Sequence, residues 1–297
     1  MSIIKQKVDN KLNEWAKRSY WYNHTVFGDC SKFWGHRTFD MDVVNLGSSS
    51  ALAAFDYSEY PKLKAANWAM APQSFVADYE ILKNYSCYLR PGATVIIPIC
   101  PFSCLGGSNN DLPDKYYTVL NIASMPHASF RRQQEQQRIR QHPWSYIPFV
   151  QLLSINHKKK DMEIAFFQND ATNRMEGWKK EFSIMSFDYP LSILNKDAYE
   201  DGVILLSDMI NYCKERGYKP VLVLPPVHKT LSSCFTPQMK TKCVDSFVGK
   251  VLPEDVFFLD YFTDDRFTDA MFSNSFLLNS KGASLFTKIC LTDIKIV

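Results

Sequence analysis

Four short apolar runs constrain this chain more than anything else in it: VVNL at 43–46, TVIIPI at 94–99, PVLVLPP at 220–226 and VFFLDY at 256–261. The first three read as buried strands; TVIIPI, continuous and β-branched, is typical of a central parallel strand buried on both faces, and VFFLDY gives another strand. A further short strand fits residues 64–67, after the turn at Tyr60-Pro61. Helix-length segments with apolar residues three and four apart separate the runs. QSFVADYEILKNYSCYL at 73–89 places Phe75, Tyr79, Leu82, Tyr85 and Leu89 on one face and stops at Pro91-Gly92. A helix over 199–216 ends at Gly217, another covers about 237–249, and a last one starts near Ser280 with Ala283, Phe286 and Ile289 inward. Strand and helix in alternation predict an α/β fold with a doubly wound parallel sheet, whose ligands sit at the carboxyl ends of the strands.

Two segments stand outside that alternation. Residues 3–18 carry Ile4, Val8, Leu12 and Trp15 at helical spacing, and 19–41 are aromatic and irregular, which predicts a peripheral helix and a wrap. Residues 101–196 hold no run of central-strand type and read as an insertion beside the functional face. They include a Gln/Arg-rich helix from Phe130 to Gln141, the breaker His142-Pro143 and a lysine run at 158–160. These basic residues form a solvated face in the plainer reading and grip an anionic ligand in the sharper one.

At 297 residues the chain is long enough for one large α/β domain or two small ones, and 46% hydrophobic and 22% charged residues are the composition of a globular protein. A formal net charge of +3 is too small to argue for a nucleic-acid or membrane partner. The first eighteen residues are charged throughout, unlike a secretory signal, and no apolar run has the length of a bilayer span, so a cytoplasmic location is expected. Eight scattered cysteines without a Cys-x-x-Cys pair read as reduced packing residues. No metal-ligand cluster, Gly-x-Gly-x-x-Gly or phosphate loop occurs, so no cofactor is expected and a nucleotide-binding reading is disfavoured.

Candidate chemistry centres on NLGSSSALAAFD, 45–56. A sharp turn at the tip of a parallel strand lifts one side chain above the sheet, beside the free N–H groups of a helix start. A serine there is a candidate nucleophile, and Ser48, Ser49 and Ser50 are the choices; the plainer reading is a serine N-cap.

The chain resembles the SGNH (GDSL-like) hydrolase superfamily, in particular the divergent branch near the D-alanyl transfer protein of teichoic acid synthesis and SGNH-like proteins of bacterial polysaccharide gene clusters. Three stretches carry the resemblance: NLGSSS at 45–50, NWAMAPQSFVADYEILKNY at 67–85 and FSNSFLLNSKGASLFTK at 272–288. It implies one flavodoxin-like three-layer domain over 1–297 with a helical insertion at about 101–196. It also implies a serine O-acyl esterase or acyltransferase working through an acyl-enzyme on a bacterial surface polysaccharide or its precursor. Ser49 would be the nucleophile, with Gly47, Ser48, Asn67 and Gln73 as oxyanion or substrate-binding groups. The last stretch departs from the family pattern Asp-x-x-His-Leu-Asn-x-x-Gly-Ala. Asn274 stands at the acid and Leu277 at the base, and neither can do that work. Of the six histidines (His24, His36, His127, His142, His157 and His228), His228 follows PVLVLPPV at the sheet edge and is the substitute base; its neighbours suggest an exposed loop residue. Asp260, Asp264, Asp265 and Asp269 could orient it, or cap turns. Gly107-Ser108-Asn109-Asn110 is only superficially like the family's oxyanion block. The other reading is a degenerate member of this fold that binds a saccharide or a protein partner.

Overall fold

The computed structural model describes residues 3–26, 30–35, 38–106, 112–125, 128–148, 164–184 and 192–297. Within them the chain divides into two compact units: residues 1–35 with 110–160, and residues 36–109 with 161–297. Gly107 to Asn110, His36, His127, His157 and the lysines at 158–160 lie outside the described residues, as does the side chain of His24.

The larger unit is built on one all-parallel sheet of five strands: β1 (Met41–Asn45), β2 (Ala65–Asn67), β3 (Leu89–Pro98), β4 (Lys219–Leu224) and β5 (Phe257–Asp260). Their spatial order is β2-β1-β3-β4-β5, the flavodoxin-like order. The three strands in the middle are filled with side chains that water does not reach: Val43, Val44, Val95, Ile96, Ile97, Leu222, Val223 and Leu224. Each such Ile or Leu stabilises the fold by about 2 kcal/mol relative to exposure.

Helices close both faces. Over one, α3 (Ser49–Ala54) and α11 (Ser280–Asp293) join Val43, Ile96, Val221 and Val223 in a cluster with Phe55, Tyr261 and Phe286. On the other side, α4 (Phe75–Tyr85), α7 (Ile193–Glu215) and α10 (Ser246–Val251) meet around Phe247, whose ring stacks on Phe75 and takes Tyr199 edge-on. Gly202 lets α7 come close here, since a Cβ would stand 3.3 Å from the Phe247 ring.

Several boundaries differ from expectation. The helix after Gln73 stops at Tyr85, and the chain turns through Ser86–Tyr88 before β3 opens at Leu89. Pro91-Gly92 therefore lies inside a strand. The register against β1 slips between Met41 and Val43, Gly92 takes φ +76°, and its N–H bonds the Gly217 carbonyl. A prolyl ring and a left-handed residue are tolerated in a strand where the ladder is interrupted. α7 starts earlier than predicted, at Ile193, with Ser192 as its cap. The segment around 237–249 is broken into α9 (Pro237–Lys240), a wider turn over Thr241–Asp245, and α10.

The smaller unit contains α1 (Ile3–Ala16), α2 (Cys30–Gly35) and α5 (Phe130–Gln141), the last as the sequence predicts. Asn13 of α1 accepts a hydrogen bond from the Trp144 N–H, and Trp15 meets the Trp144 ring edge-on. No helix among the described residues is long and apolar enough to cross a membrane.

Candidate functional site

β1 and β3 point their carboxyl ends at the turn Gly47-Ser48-Ser49. Order reverses around β1, because the chain goes from it to β2 on one side and reaches β3 on the other. This is the topological switch point, where doubly wound sheets open a crevice. Gly47 makes the turn possible. Its φ is +109°, and a Cβ would stand 2.7 Å from the Ala51 Cβ and 3.1 Å from the Pro98 ring.

Each serine of the triplet has a different situation. Ser48 is the residue before α3, and its Oγ accepts from the Gln73 N–H at 3.1 Å. Ser50 is buried, with its hydroxyl 3.1 Å from Cys100 Sγ at the end of β3. Ser49 is half-buried, and among the described residues its hydroxyl has no hydrogen-bond partner.

Behind the turn stands a group that the helical reading of 73–89 passes over. Asp78 is buried, and its Oδ1 accepts from the Gly47 N–H at 2.7 Å and from Gln73 Nε2 at 2.5 Å. Burial pushes this carboxyl up to about 7, against the pull of those two donors. Gln73 completes the brace by accepting from the Met70 N–H at 3.1 Å, and Ser74 caps α4. The buried face of α4 is Phe75, Ala77, Asp78, Ile81 and Leu82, with Tyr79 and Tyr85 only half-buried. The signal for Asp78 was its spacing, three after Phe75 and three before Ile81.

Asn67 sits at the other end of α3. Its Nδ2 is directed at the carbonyls of Ala51, Leu52 and Phe55, which ends the helix. Its Oδ1 accepts from Asn45 Nδ2 at 2.8 Å and from the Ala69 N–H at 3.0 Å, and Tyr57 donates to Asn45. Gly47, Ser48 and Gln73 thus come together around Asp78, while the amide of Asn67 is committed to helix α3.

His228 is not the exposed residue that its neighbours suggest. It is 1% exposed, it precedes α8 (Lys229–Ser232), and its ring lies flat on Phe167 at 4.1 Å with Phe272 edge-on. Nδ1 accepts from the Thr230 N–H at 3.2 Å and also stands 2.9 Å from the Thr230 hydroxyl. Nε2 stands 3.2 Å from Asp269 Oδ1, out of line for a hydrogen bond. Burial lowers the imidazole pKa, and Asp269 offsets part of that shift. Of the candidate acids Asp269 is the one beside this ring; Asp260 and Asp264 accept from the Phe262 and Arg266 N–H groups, respectively.

The stretch 272–278 is tied to the same corner. The His228 N–H donates to the Ser275 carbonyl at 2.9 Å, and Ser275 gives both its N–H and its hydroxyl to Asp170 of α6 (Ile164–Glu181). Asn274 Oδ1 accepts from the N–H groups of Phe276 and Leu277, so it builds a tight turn. Asn279 caps α11 by accepting from Lys281 and Gly282.

β1 and β4 are two strand spacings apart, about 10 Å, and among the described residues no hydrogen bond joins Ser49 to His228. The two serve different corners of one rim in this arrangement. No group of three or more His, Cys, Asp or Glu that could hold a metal occurs among the described residues.

No protein-family model matches the chain. No curated protein matches it either. Among solved structures it is similar to one from Streptococcus pneumonia named "putative platelet activating factor", at 9% identity and a TM-score of 0.41, over 97% of this chain and 91% of that one.

Proposed function

We propose that this chain is an SGNH-type protein whose Ser49 acts on O-acyl esters of a bacterial surface polysaccharide or its precursor, as an esterase or acyltransferase. The observation that supports it is the unengaged Ser49 hydroxyl at the switch point of a parallel sheet, on a turn braced from behind by Asp78 and Gln73. In this reading Ser49 Oγ attacks the ester carbonyl, its proton passes to a base, and the alcohol departs to leave an acyl-enzyme. Water or a sugar hydroxyl then takes the acyl group. The base we assign is His228, whose Nε2 rests 3.2 Å from the Asp269 carboxylate. To serve, the imidazole has to leave its cap on α8 and reach the β1 side of the rim.

A second reading is favoured by the stretch 272–278: a degenerate member that binds a saccharide or protein partner. Its support is that Asn274 is spent on a turn and Leu277 offers only hydrocarbon where the family pattern has acid and base.

A fluorophosphonate probe separates the two. Labelling of the wild-type chain that disappears in Ser49→Ala supports the first reading. An unlabelled wild-type chain, with labelling and ester hydrolysis appearing only in Asn274→Asp/Leu277→His, supports the second.

A further inference from the structure

The formal charge of +3 conceals a division. The smaller unit holds fourteen lysines and arginines against six acids, a net of +8, and the larger holds twenty against twenty-five, a net of −5. A sign asymmetry of this size between compact parts of one chain marks the positive part as a place for an anionic partner.

Helix α1 shows which kind. Its inward residues are Asn13 and Ala16. On another side Ile4, Val8 and Trp15 are 75%, 51% and 50% exposed. They lie four and seven residues apart, which is one line along a helix. Lys7 and Lys11 stand three residues after Ile4 and Val8, are exposed, and form no ion pair among the described residues; Arg18, also exposed, follows in the turn beyond the helix. Three residues of helix place the basic row about 60° from the apolar one. A row of exposed Ile, Val and Trp bordered by a row of cations is the composition of a helix lying on a lipid surface. Elsewhere in this unit, α5 buries none of its residues, carries Arg131, Arg132, Arg138 and Arg140, and begins with Phe130 at 65% exposure.

We infer that the smaller unit docks on an anionic lipid surface through the paired apolar and basic rows of α1. A soluble polyanion would engage the cations alone and leave Ile4 and Val8 without a partner, whereas a lipid surface engages both rows. Nothing in this inference depends on Ser49.

The test is sedimentation of the full chain with phosphatidylcholine vesicles, and with vesicles containing phosphatidylglycerol as well. The expected result is binding only to the second kind, weakened by salt, with affinity falling at least about tenfold in Lys7→Glu/Lys11→Glu. Ile4→Ser/Val8→Ser, at two exposed positions, is expected to weaken binding to a comparable degree, and Ser49→Ala to leave it unchanged. Circular dichroism of each variant checks that the fold is intact. Failure to bind the anionic vesicles overturns the inference. So does binding that is lost in the charge variant yet unchanged in Ile4→Ser/Val8→Ser, because that pattern belongs to a soluble polyanion such as an RNA or an acidic polysaccharide.

Discussion

Asp78 holds Gly47. The carboxylate oxygen accepts the glycine N–H at 2.7 Å inside the protein, one residue before Ser48, so the turn that presents Ser49 hangs on a buried acid. The tip of β1 and the first turn of α4 are tied together by that one group, and the Gln73 amide shares it.

The acid makes stability depend on pH. Its folded-state pKa is raised from 3.8 to about 7, so the native state holds this proton more tightly than the unfolded chain. The stability it contributes is full below about pH 4 and is lost as pH rises towards 7, up to on the order of 4 kcal/mol. Asp78→Asn removes the titration while keeping an oxygen for Gly47. The variant's Tm relative to wild type is therefore expected to climb steadily from about pH 4 to pH 7 and then level off. A Tm difference that does not change with pH over that range contradicts this account of Asp78.

Asn67 is a structural keystone by the count of its bonds. Alanine there removes the side-chain donor from the carbonyl end of α3, takes from the Asn45 amide one of its two acceptors (the Leu46 carbonyl remains) and orphans the buried Ala69 N–H. Asn67→Ala is expected to lose about 3 kcal/mol in chemical denaturation, because buried polar groups left without partners carry their full desolvation penalty. A loss under about 1 kcal/mol means that water enters and replaces the amide.

What the sequence revealed and what it hid divide along physical lines. The β-branched runs at 94–99 and 220–226 announced a parallel sheet because burial on both faces admits little but Val, Ile and Leu. Gly47 was legible for a similar reason, since a sharp strand-to-helix turn demands a residue free at positive φ. Asp78 was hidden because a single acid in the first turns of a helix reads as a dipole partner at the surface. His228 was misjudged because adjacency to Lys229 says nothing about tertiary burial. Phe167, stacked on its ring, and Phe272, edge-on to it, come from distant parts of the chain. The net charge hid the basic unit by summing it with an acidic one.

Gly282 carries a prediction about close approach. A Cβ there would stand 2.3 Å from the Met271 carbonyl oxygen and 2.8 Å from Leu278 Cδ2, and the first of these is backbone. Gly282→Ala is expected to cost about 3 kcal/mol, although alanine is the better helix former, because overpacking exceeds the propensity gain of about 1 kcal/mol. Unchanged stability in urea unfolding would show that α11 can slide away from the 271–278 segment.

His228 should make the protein sensitive to mild acid. Its folded-state pKa is lowered from 6.5, chiefly by burial, so the native state favours the neutral ring while the unfolded chain takes up a proton. Its contribution to stability is complete above about pH 6.5 and is lost as pH falls below it, the opposite sense to Asp78. His228→Asn keeps an oxygen to cap α8 through the Thr230 N–H but cannot titrate in this range. Losing the ring stacked on Phe167 lowers Tm at every pH, so the informative quantity is the difference from wild type, in which the Asp78 contribution cancels. That deficit is expected to shrink as pH drops from about 7 to 5. If the deficit is the same at both ends, the pairing with Asp269 cancels the effect of burial, and a deficit that grows on acidification means that the pairing outweighs it.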